Sequence, residues 1–152
     1  GAWNLGGWRL LPRRRVGSGH ECAGCAGSRT IHQRRAGTVT WSGFPHAELL
    51  RASYVDPGAT LVWLEGADHG SFGGHECRAY TKDLPIRKAL AEDTLLAFEI
   101  NGEPLSSDRG FPVRAVVPGF YGTNSVKWIK RLTAAASRST GLLTKRYSSS
   151  PP

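Results

Sequence analysis

The stretch TLLAFEINGEPLSSDRGFPVRAVVPGFYGTNSVKWIKRL, residues 94–132, decides the fold because it places apolar segments between strong turn signals. Its first segment is aliphatic and leads into Asn101-Gly102, the residue pair most typical of a tight β-hairpin turn. The segments at 111–119 and 125–136 have the apolar and β-branched composition of two further strands. This part of the chain therefore predicts a fold in which strands dominate.

The preceding residues add two strands and two helices to this prediction. Short strands are expected at 37–43 and at 60–66, where the residues are apolar and β-branched. Helices are expected at 45–55 and at 83–93, each with a proline in its first turn, and Asp83 is a candidate N-cap for the second. A turn is expected at 56–58, where Pro57 presets its own φ and Gly58 accepts a positive one. Because strands outnumber helices, the predicted class is α+β, with a mixed β-sheet and short helices.

The positive charge of the chain is concentrated at its ends. The net charge is +8 over 152 residues, but residues 1–40 carry seven arginines and one acidic residue, whereas residues 41–132 carry ten basic and eleven acidic side chains. The central part of the chain is therefore nearly neutral. No nucleic-acid-binding motif accompanies the basic run at Arg13 to Arg15, so we expect no nucleic-acid partner.

Composition also bounds the organisation of the chain. No apolar run approaches the roughly 20 residues that a membrane-spanning helix needs, so we expect no direct membrane insertion, and the compartment, periplasmic or cytoplasmic, stays open. Residues 1–37 are rich in glycine and arginine and show no regular hydrophobic period, which predicts a poorly ordered segment. A domain core is expected at 38–147, and a disordered tail at 148–152.

The order of four short motifs is similar to that of a known enzyme family. NGEPL, GFPVR, VVPG and GTNSVKW follow one another in this chain as in the molybdopterin-binding domain of the sulfite oxidase family. The likeness extends over residues 38–147, with ECAG at 21–24 as an anchor further upstream. The resemblance implies an α+β domain that holds one molybdenum through a pyranopterin (molybdopterin) and one cysteine thiolate.

The resemblance implies that Cys22 is the metal ligand. The family's ligating cysteine lies in a CAGN motif, and Cys22 occupies the matching position in ECAG, whereas Cys25 stands where the family has asparagine. Molybdenum in this chemistry is held by sulfur donors, and the cysteine must be deprotonated and presented by a constrained loop. The glycines at 24 and 27 permit such a loop.

The same resemblance implies further site residues. Arg114 of GFPVR and Lys127 of VKW match positions that contact the pterin and its phosphate, where forked donors and fixed positive charge suit an anion. Ser125 and Asp68 match positions that line the cofactor pocket. Tyr147 resembles the tyrosine beside the metal, where a phenol donates a hydrogen bond to an oxo ligand or an oxyanion.

Two departures from the family pattern affect the substrate side of the expected site. The family's substrate-binding arginine follows its cysteine motif closely, whereas Arg29 lies later in register. The histidine that precedes the glycine of the family's HGFP sequence is Arg109 here. Arg29 and Arg109 are therefore the expected oxyanion-binding residues.

The implied activity is oxo transfer on a small oxyanion such as sulfite, or on a sulfoxide. The cofactor performs the redox chemistry, and the protein supplies binding, orientation and charge. The chain contains no C-x-x-C-H haem-attachment motif. The electron partner is therefore expected to be a separate haem protein or a membrane-bound electron-transfer protein.

Two alternatives remain from the residues alone. The first is a zinc-binding module, because zinc needs four nitrogen or sulfur ligands and the chain offers five donors in two short segments: His20, Cys22, Cys25, His75 and Cys77. The second is a non-catalytic remnant that keeps the central sheet and has lost its cofactor. Folding that is indifferent to cofactor supply would distinguish this remnant.

Overall fold

The computed structural model describes the backbone of residues 2–4, 14–22, 36–72 and 75–139, and the side chains of residues 39–71 and 76–139. Three antiparallel β-sheets and a few short helical segments make up this part of the chain.

The first sheet has the strand order β1-β11-β4-β7. Its strands are β1 (Ala2–Asn4), β4 (Leu61–Gly66), β7 (Thr81–Pro85) and β11 (Ile129–Ala135). Residues of β4 alternate between half-buried and fully buried positions. This alternation is expected of a strand that packs one face on the core.

The second sheet has the order β10-β8-β3-β2, with β9 paired to β8. Its strands are β2 (Arg14–Cys22), β3 (Ala36–Pro45), β8 (Leu95–Ile100), β9 (Glu103–Pro104) and β10 (Arg114–Val116). A separate two-stranded ribbon pairs β5 (Gly70–Phe72) with β6 (His75–Cys77).

The hydrophobic core has two parts. The larger cluster combines buried residues of β4, β7 and β11 in the first sheet with residues of β8, β10 and the segments beside it in the second, including Leu64, Leu84, Leu96, Val117 and Ile129. A smaller cluster surrounds Trp41 of β3 and includes Leu95, Leu105 and Val116. The core therefore joins the two sheets, and β10 borders both clusters.

The α+β class is confirmed, with helices even shorter than expected. Helix α1 spans His46–Ala52, inside the predicted 45–55. Helix α2 spans only Ile86–Ala89, because residues 81–85 pair with β4 as strand β7. Asp83 is therefore not an N-cap: it lies buried in β7 and accepts the backbone N–H of Ser139 with both carboxylate oxygens, each at 3.2 Å.

Both predicted turns are confirmed. Asn101 and Gly102 have φ values of 53° and 87° between β8 and β9, as expected of an Asn-Gly hairpin turn. The Asn101 side chain also accepts the backbone N–H of Thr40 at 2.9 Å, which ties the turn to β3. At 56–58, the Asp56 carboxylate accepts the backbone N–H of Gly58 at 2.7 Å.

Two predicted strands are shorter than the sequence pattern indicates. The segment 111–119 contributes only β10, and the segment 125–136 forms a strand only in β11. Trp128 has a φ of 48°, which interrupts the expected alternation of side chains between residues 126 and 131. Val126 and Ile129 are consequently both buried, although strict alternation places them on opposite faces.

The strand directions and the N-terminal segment also differ from expectation. A mixed sheet was predicted, whereas every pairing among the described strands is antiparallel. Antiparallel strands can be joined by a tight two-residue turn, as β8 and β9 are by Asn101 and Gly102, whereas a parallel pair needs a crossover connection. The segment 1–37 was predicted to be poorly ordered, but it contributes β1 and β2 to the two sheets. The division at residue 38 stays a prediction, and the predicted tail at 148–152 lies outside the described residues.

Within the described ranges, no helix has both the length and the apolar character needed to cross a membrane.

Candidate functional site

Arg114 lies at the centre of the candidate site. It is on β10 and is only 7% exposed, so its charge needs compensating contacts. Its Nη1 donates to the carbonyl oxygen of Arg109 at 3.2 Å, and its Nη2 donates to that of Ser125 at 3.3 Å. Its guanidinium carbon lies 4.9 Å from the centroid of the Trp41 ring, which is within the range of a cation–π contact. The guanidinium is thus held between a tryptophan of β3 and two neighbouring loops.

Lys127 and Trp128 bind the loop that precedes Arg114. This loop contains a 3₁₀ turn at Ser107–Arg109, which we call the carbonyl turn. Lys127 Nζ donates to the carbonyl oxygen of Asp108, and Trp128 Nε1 donates to that of Ser107, both at 2.6 Å. Together with the Arg114 contact, all three carbonyl oxygens of the turn accept side-chain donors. The carbonyl oxygen of Ser107 also accepts the backbone N–H of Gly110 at 3.3 Å. Carbonyl oxygens at the end of a helical turn carry partial negative charge, so cationic donors stabilise them.

Gly110 allows these cations to lie close together. It follows the carbonyl turn with a φ of 105°, a conformation that side-chain-bearing residues rarely adopt. A Cβ atom at this position would lie 3.1 Å from Cβ of Arg114 and 3.1 Å from Cβ of Lys127. The missing side chain at residue 110 therefore leaves the space in which Arg114 and Lys127 approach each other.

Arg109 adds a third cation, which acts on the carboxylate of Asp108 together with Lys127. Its side chain is 36% exposed, and its Nε lies 3.6 Å from the carboxylate of Asp108. We call Arg109, Arg114 and Lys127 the cation cluster. The pKa of Asp108 is lowered mainly by the hydroxyl of Ser106, so this exposed neighbour stays ionised at neutral pH.

Asp68 lies next to the cation cluster, in the loop after β4. Its neighbour Ala67 donates its backbone N–H to the carbonyl oxygen of Trp128 at 2.8 Å. Oδ1 of Asp68 is buried and has no hydrogen-bond partner among the described residues. Burial raises the pKa of Asp68, although its own backbone and the charges of His69, Lys127 and Lys130 act in the opposite direction. A buried carboxylate oxygen without a partner is a ready acceptor for a ligand N–H or O–H group.

Ser125 supports the site from the opposite loop. Its Oγ accepts the backbone N–H of Val117 at 3.1 Å, and its carbonyl oxygen accepts from Arg114. Its neighbour Asn124 ends the 3₁₀ turn Gly122–Asn124 and is 1% exposed. The Nδ2 atom of Asn124 is buried and has no partner among the described groups.

The structure brings together five of the eight residues that the sequence selected: Asp68, Arg109, Arg114, Ser125 and Lys127. Arg29 and Tyr147 lie outside the described residues. Cys22 is described by its backbone alone, as the last residue of β2 paired with Ala36. Because Ala36 precedes Trp41 by five residues on β3, about 17 Å of strand separates the backbone of Cys22 from the Trp41–Arg114 contact.

Sequence reasoning missed the roles of Trp41 and Trp128. The contact between Trp41 and Arg114 joins strands that are far apart in the chain, so no local sequence pattern predicts it. The positive φ of Trp128 contradicts its residue type, since bulky residues rarely adopt this conformation. A tryptophan directly after a lysine in an otherwise alternating strand was the only available hint.

The residues of the zinc alternative lie mostly outside the described side chains. Among the described side chains, no three histidine, cysteine, aspartate or glutamate groups come close enough to hold a metal. Of the five proposed zinc donors, Cys77 alone has a described side chain, and it is a half-buried free thiol.

Comparison with known proteins gives the class of this domain. The family model for the oxidoreductase molybdopterin binding domain matches residues 3–143. The chain therefore belongs to this family, which confirms the resemblance to the sulfite oxidase family and implies a molybdenum cofactor.

Individual relatives agree with this assignment. Mitochondrial sulfite oxidase of Drosophila melanogaster is 34% identical over 148 residues, a match that covers 89% of this chain and 25% of that protein. The nitrate reductase (NAD(P)H) of Hordeum vulgare is 40% identical over 108 residues, covering 67% of this chain and 12% of that protein. The crystal structure of the sulfane dehydrogenase SoxCD from Paracoccus pantotrophus superimposes with a TM-score of 0.68 at 27% identity, covering 89% of this chain and 34% of that one. The chain thus spans a quarter or less of these two curated relatives.

The described residues fit a molybdenum pyranopterin. The cofactor carries an anionic phosphate, which suits the cation cluster. Its pterin ring carries N–H donors, which suit the unpartnered oxygen of Asp68. Gly110, where a Cβ atom would lie 3.1 Å from Cβ of both residues, lets the side-chain stems of Arg114 and Lys127 pack against the same turn.

Proposed function

We propose that this chain binds molybdenum pyranopterin and supports oxo transfer on a small oxyanion such as sulfite, or on a sulfoxide. The observation that carries the proposal is the cation cluster, gathered around Gly110 beside an unpartnered carboxylate in a chain of the molybdopterin-binding family. When bound, the cofactor supplies two-electron chemistry in which sulfite gains an oxygen atom from water, giving sulfate, two protons and two electrons. A separate haem protein or membrane-bound electron-transfer protein accepts the electrons.

Four residues of the chain have separate roles in binding the cofactor. Arg114 and Lys127 bind the phosphate of the cofactor, because both are donors with fixed positive charge. Ser125 orients Arg114 through its carbonyl oxygen. Asp68 accepts a hydrogen bond from the pterin. These assignments require the anion to share or replace the carbonyl oxygens that now accept from the two cations.

The metal and substrate side depends on residues from the ends of the chain. The thiolate of Cys22 is the proposed molybdenum ligand. Arg29 and Arg109 attract the oxyanion, and the hydroxyl of Tyr147 donates a hydrogen bond to it, as a preorganised donor does where negative charge develops. Arg109 is the one of these whose side chain the structure describes, and its partial exposure is consistent with contact to a substrate from solvent.

The test is metal analysis of the full chain after purification from a host that makes molybdenum cofactor. Cys22→Ser is compared with Cys77→Ser, a matched control because Cys77 lies on β6 of the small ribbon. We expect near-stoichiometric molybdenum in the wild type and in Cys77→Ser, and its loss in Cys22→Ser. Zinc that disappears in both variants would establish the zinc-binding module instead. A folded chain without either metal would identify a non-catalytic remnant and refute the proposal.

A further inference from the structure

Trp128 has a backbone conformation that its residue type disfavours. Its φ is 48°, in the left-handed region that bulky side chains rarely occupy. Among the described residues, Asn101 also has a positive φ outside glycine, but asparagine tolerates this region in turns. Such a conformation persists only where the surroundings impose it, and it is frequent at functional sites.

Three contacts impose this conformation on Trp128. Its indole Nε1 donates to the carbonyl oxygen of Ser107 at 2.6 Å. Its own carbonyl oxygen accepts the backbone N–H of Ala67 at 2.8 Å. The ammonium of Lys127 lies 5.4 Å from the centroid of its ring. Trp128 thereby joins the carbonyl turn, which carries Arg109, to the loop that carries Asp68.

The positive φ also changes the direction of the neighbouring side chain. In a regular strand, the side chains of Lys127 and Trp128 would project from opposite faces. Here both reach the same carbonyl turn and donate to adjacent oxygens, those of Asp108 and Ser107. The break in alternation therefore directs the ammonium of Lys127 to the carbonyl oxygen of Asp108.

We propose that Trp128 is a positioning residue of the anion site, which holds Lys127 and the carbonyl turn in the arrangement that binds the cofactor's phosphate. This inference rests on the proposed function, because it assumes that the cation cluster binds an anion. Trp128 itself touches neither the phosphate nor the reacting atoms.

Trp128→Phe and Trp63→Phe form a matched pair of variants. Trp63 is on β4 of the first sheet, and its indole also donates to a backbone carbonyl oxygen, that of Ser137, at 2.9 Å. Each substitution removes one indole hydrogen bond and keeps an aromatic ring. Trp128→Asn is the second variant at the site, because asparagine accepts a positive φ and preserves the backbone turn without the indole.

The probe is inorganic phosphate, titrated into each full-length chain purified without cofactor, with binding followed by calorimetry and stability by urea unfolding. We expect similar losses of stability in Trp128→Phe and Trp63→Phe. Phosphate affinity should fall about two- to tenfold in both Trp128 variants, the range that one hydrogen bond supplies, and should stay at the wild-type value in Trp63→Phe.

The outcomes separate this inference from the proposed function. Wild-type phosphate affinity in folded Trp128→Phe and Trp128→Asn would overturn the positioning role and leave the cofactor proposal standing. An equal loss of affinity in Trp63→Phe would also overturn it, since the effect would then follow stability alone. A wild-type chain that binds neither phosphate nor molybdenum would refute both.

Discussion

Alanine at position 110 should damage the fold and the cation cluster together. The φ of 105° is unfavourable for any residue with a Cβ, and the new methyl group would lie 3.1 Å from Cβ of Arg114, 3.1 Å from Cβ of Lys127 and 3.2 Å from Cγ of Lys127. Ordinary van der Waals contact begins several tenths of an ångström further out. The contacted atoms are the first carbons of the Arg114 and Lys127 side chains. Rotation of the charged ends therefore does not relieve the contact.

The magnitude follows from two separable costs. A left-handed conformation costs an L-residue about 1–2 kcal/mol, and the reduced entropy of the unfolded chain returns about 0.4–1 kcal/mol. Overpacking between Arg114 and Lys127 adds about 1–3 kcal/mol. Gly110→Ala should therefore lower the free energy of unfolding by about 3 kcal/mol, within a range of about 1–5 kcal/mol.

Gly102→Ala is the control that isolates the packing cost. Gly102 has a φ of 87° in the hairpin turn, and a Cβ built there meets no atom within 4 Å. Gly102→Ala should lower the free energy of unfolding by about 1 kcal/mol, from backbone conformation alone. Urea unfolding, followed by circular dichroism, measures the free energy of unfolding of both variants. In thermal unfolding, each kcal/mol lost corresponds to a decrease in Tm of about 2–4 °C.

The same pair of variants tests the link to function. Gly110→Ala should lose phosphate binding in the cofactor-free chain, whereas Gly102→Ala should retain it. The reasoning is refuted if Gly110→Ala is as stable as Gly102→Ala, or if it binds phosphate like the wild type, because Gly110 would then not set the approach of Arg114 and Lys127.

Two further predictions concern pH. Burial lowers the pKa of His46 below its ordinary value of 6.5, and Nε2 of this side chain has no partner among the described residues. As the pH falls, His46 is therefore protonated in the unfolded chain before it is protonated in the folded one. The free energy of unfolding should consequently decrease as the pH drops below about 6.5. Urea unfolding at several pH values should show a weaker pH dependence of the free energy of unfolding in His46→Asn. The control His69→Gln, at an exposed histidine, should keep the wild-type pH dependence. A wild-type pH dependence in His46→Asn would contradict the role given to His46. Burial raises the pKa of Asp68 above its ordinary value of 3.8, so its stability contribution decreases as the pH rises past that value. Asp68→Asn should make the cofactor-free chain more stable at pH 7 than the wild type while lowering its molybdenum content, and a destabilised variant would show that the carboxylate has a partner.

The sequence predicted those parts of the fold that local chemistry determines. The Asn101-Gly102 turn follows from residue types that accept positive φ, and β4 follows from a short β-branched run. Helix α2 was overestimated because Asp83 and Pro85 resemble an N-cap and a first helical turn, while the pairing of β7 with β4 extends the strand through Pro85. Pairing between distant strands overrode the local preference.

The candidate site was predicted by motif similarity rather than by pattern. Alternation alone gave no reason to bury Arg114, whose contact with Trp41 depends on the order of strands in the second sheet. The positions of Asp68 and Ser125 beside the cations were likewise implied by the family and not by any periodicity. Trp128 was missed because its backbone conformation is set by hydrogen bonds to two loops.

The hydrogen bonds of the cation cluster have a consequence for the order of folding. They close short loops: Arg114 reaches Arg109 across 5 residues and Ser125 across 11, and Trp128 reaches Ser107 across 21. The first sheet instead depends on contacts such as that of Trp63 with Ser137, across 74 residues. Loop-closure entropy increases with the length of the loop, and contacts near in sequence form faster than distant ones. The short-range contacts of Arg114 and Trp128 can thus form before the first sheet is complete, whereas the contact of Arg114 with Trp41 has to wait for the pairing of distant strands in the second sheet.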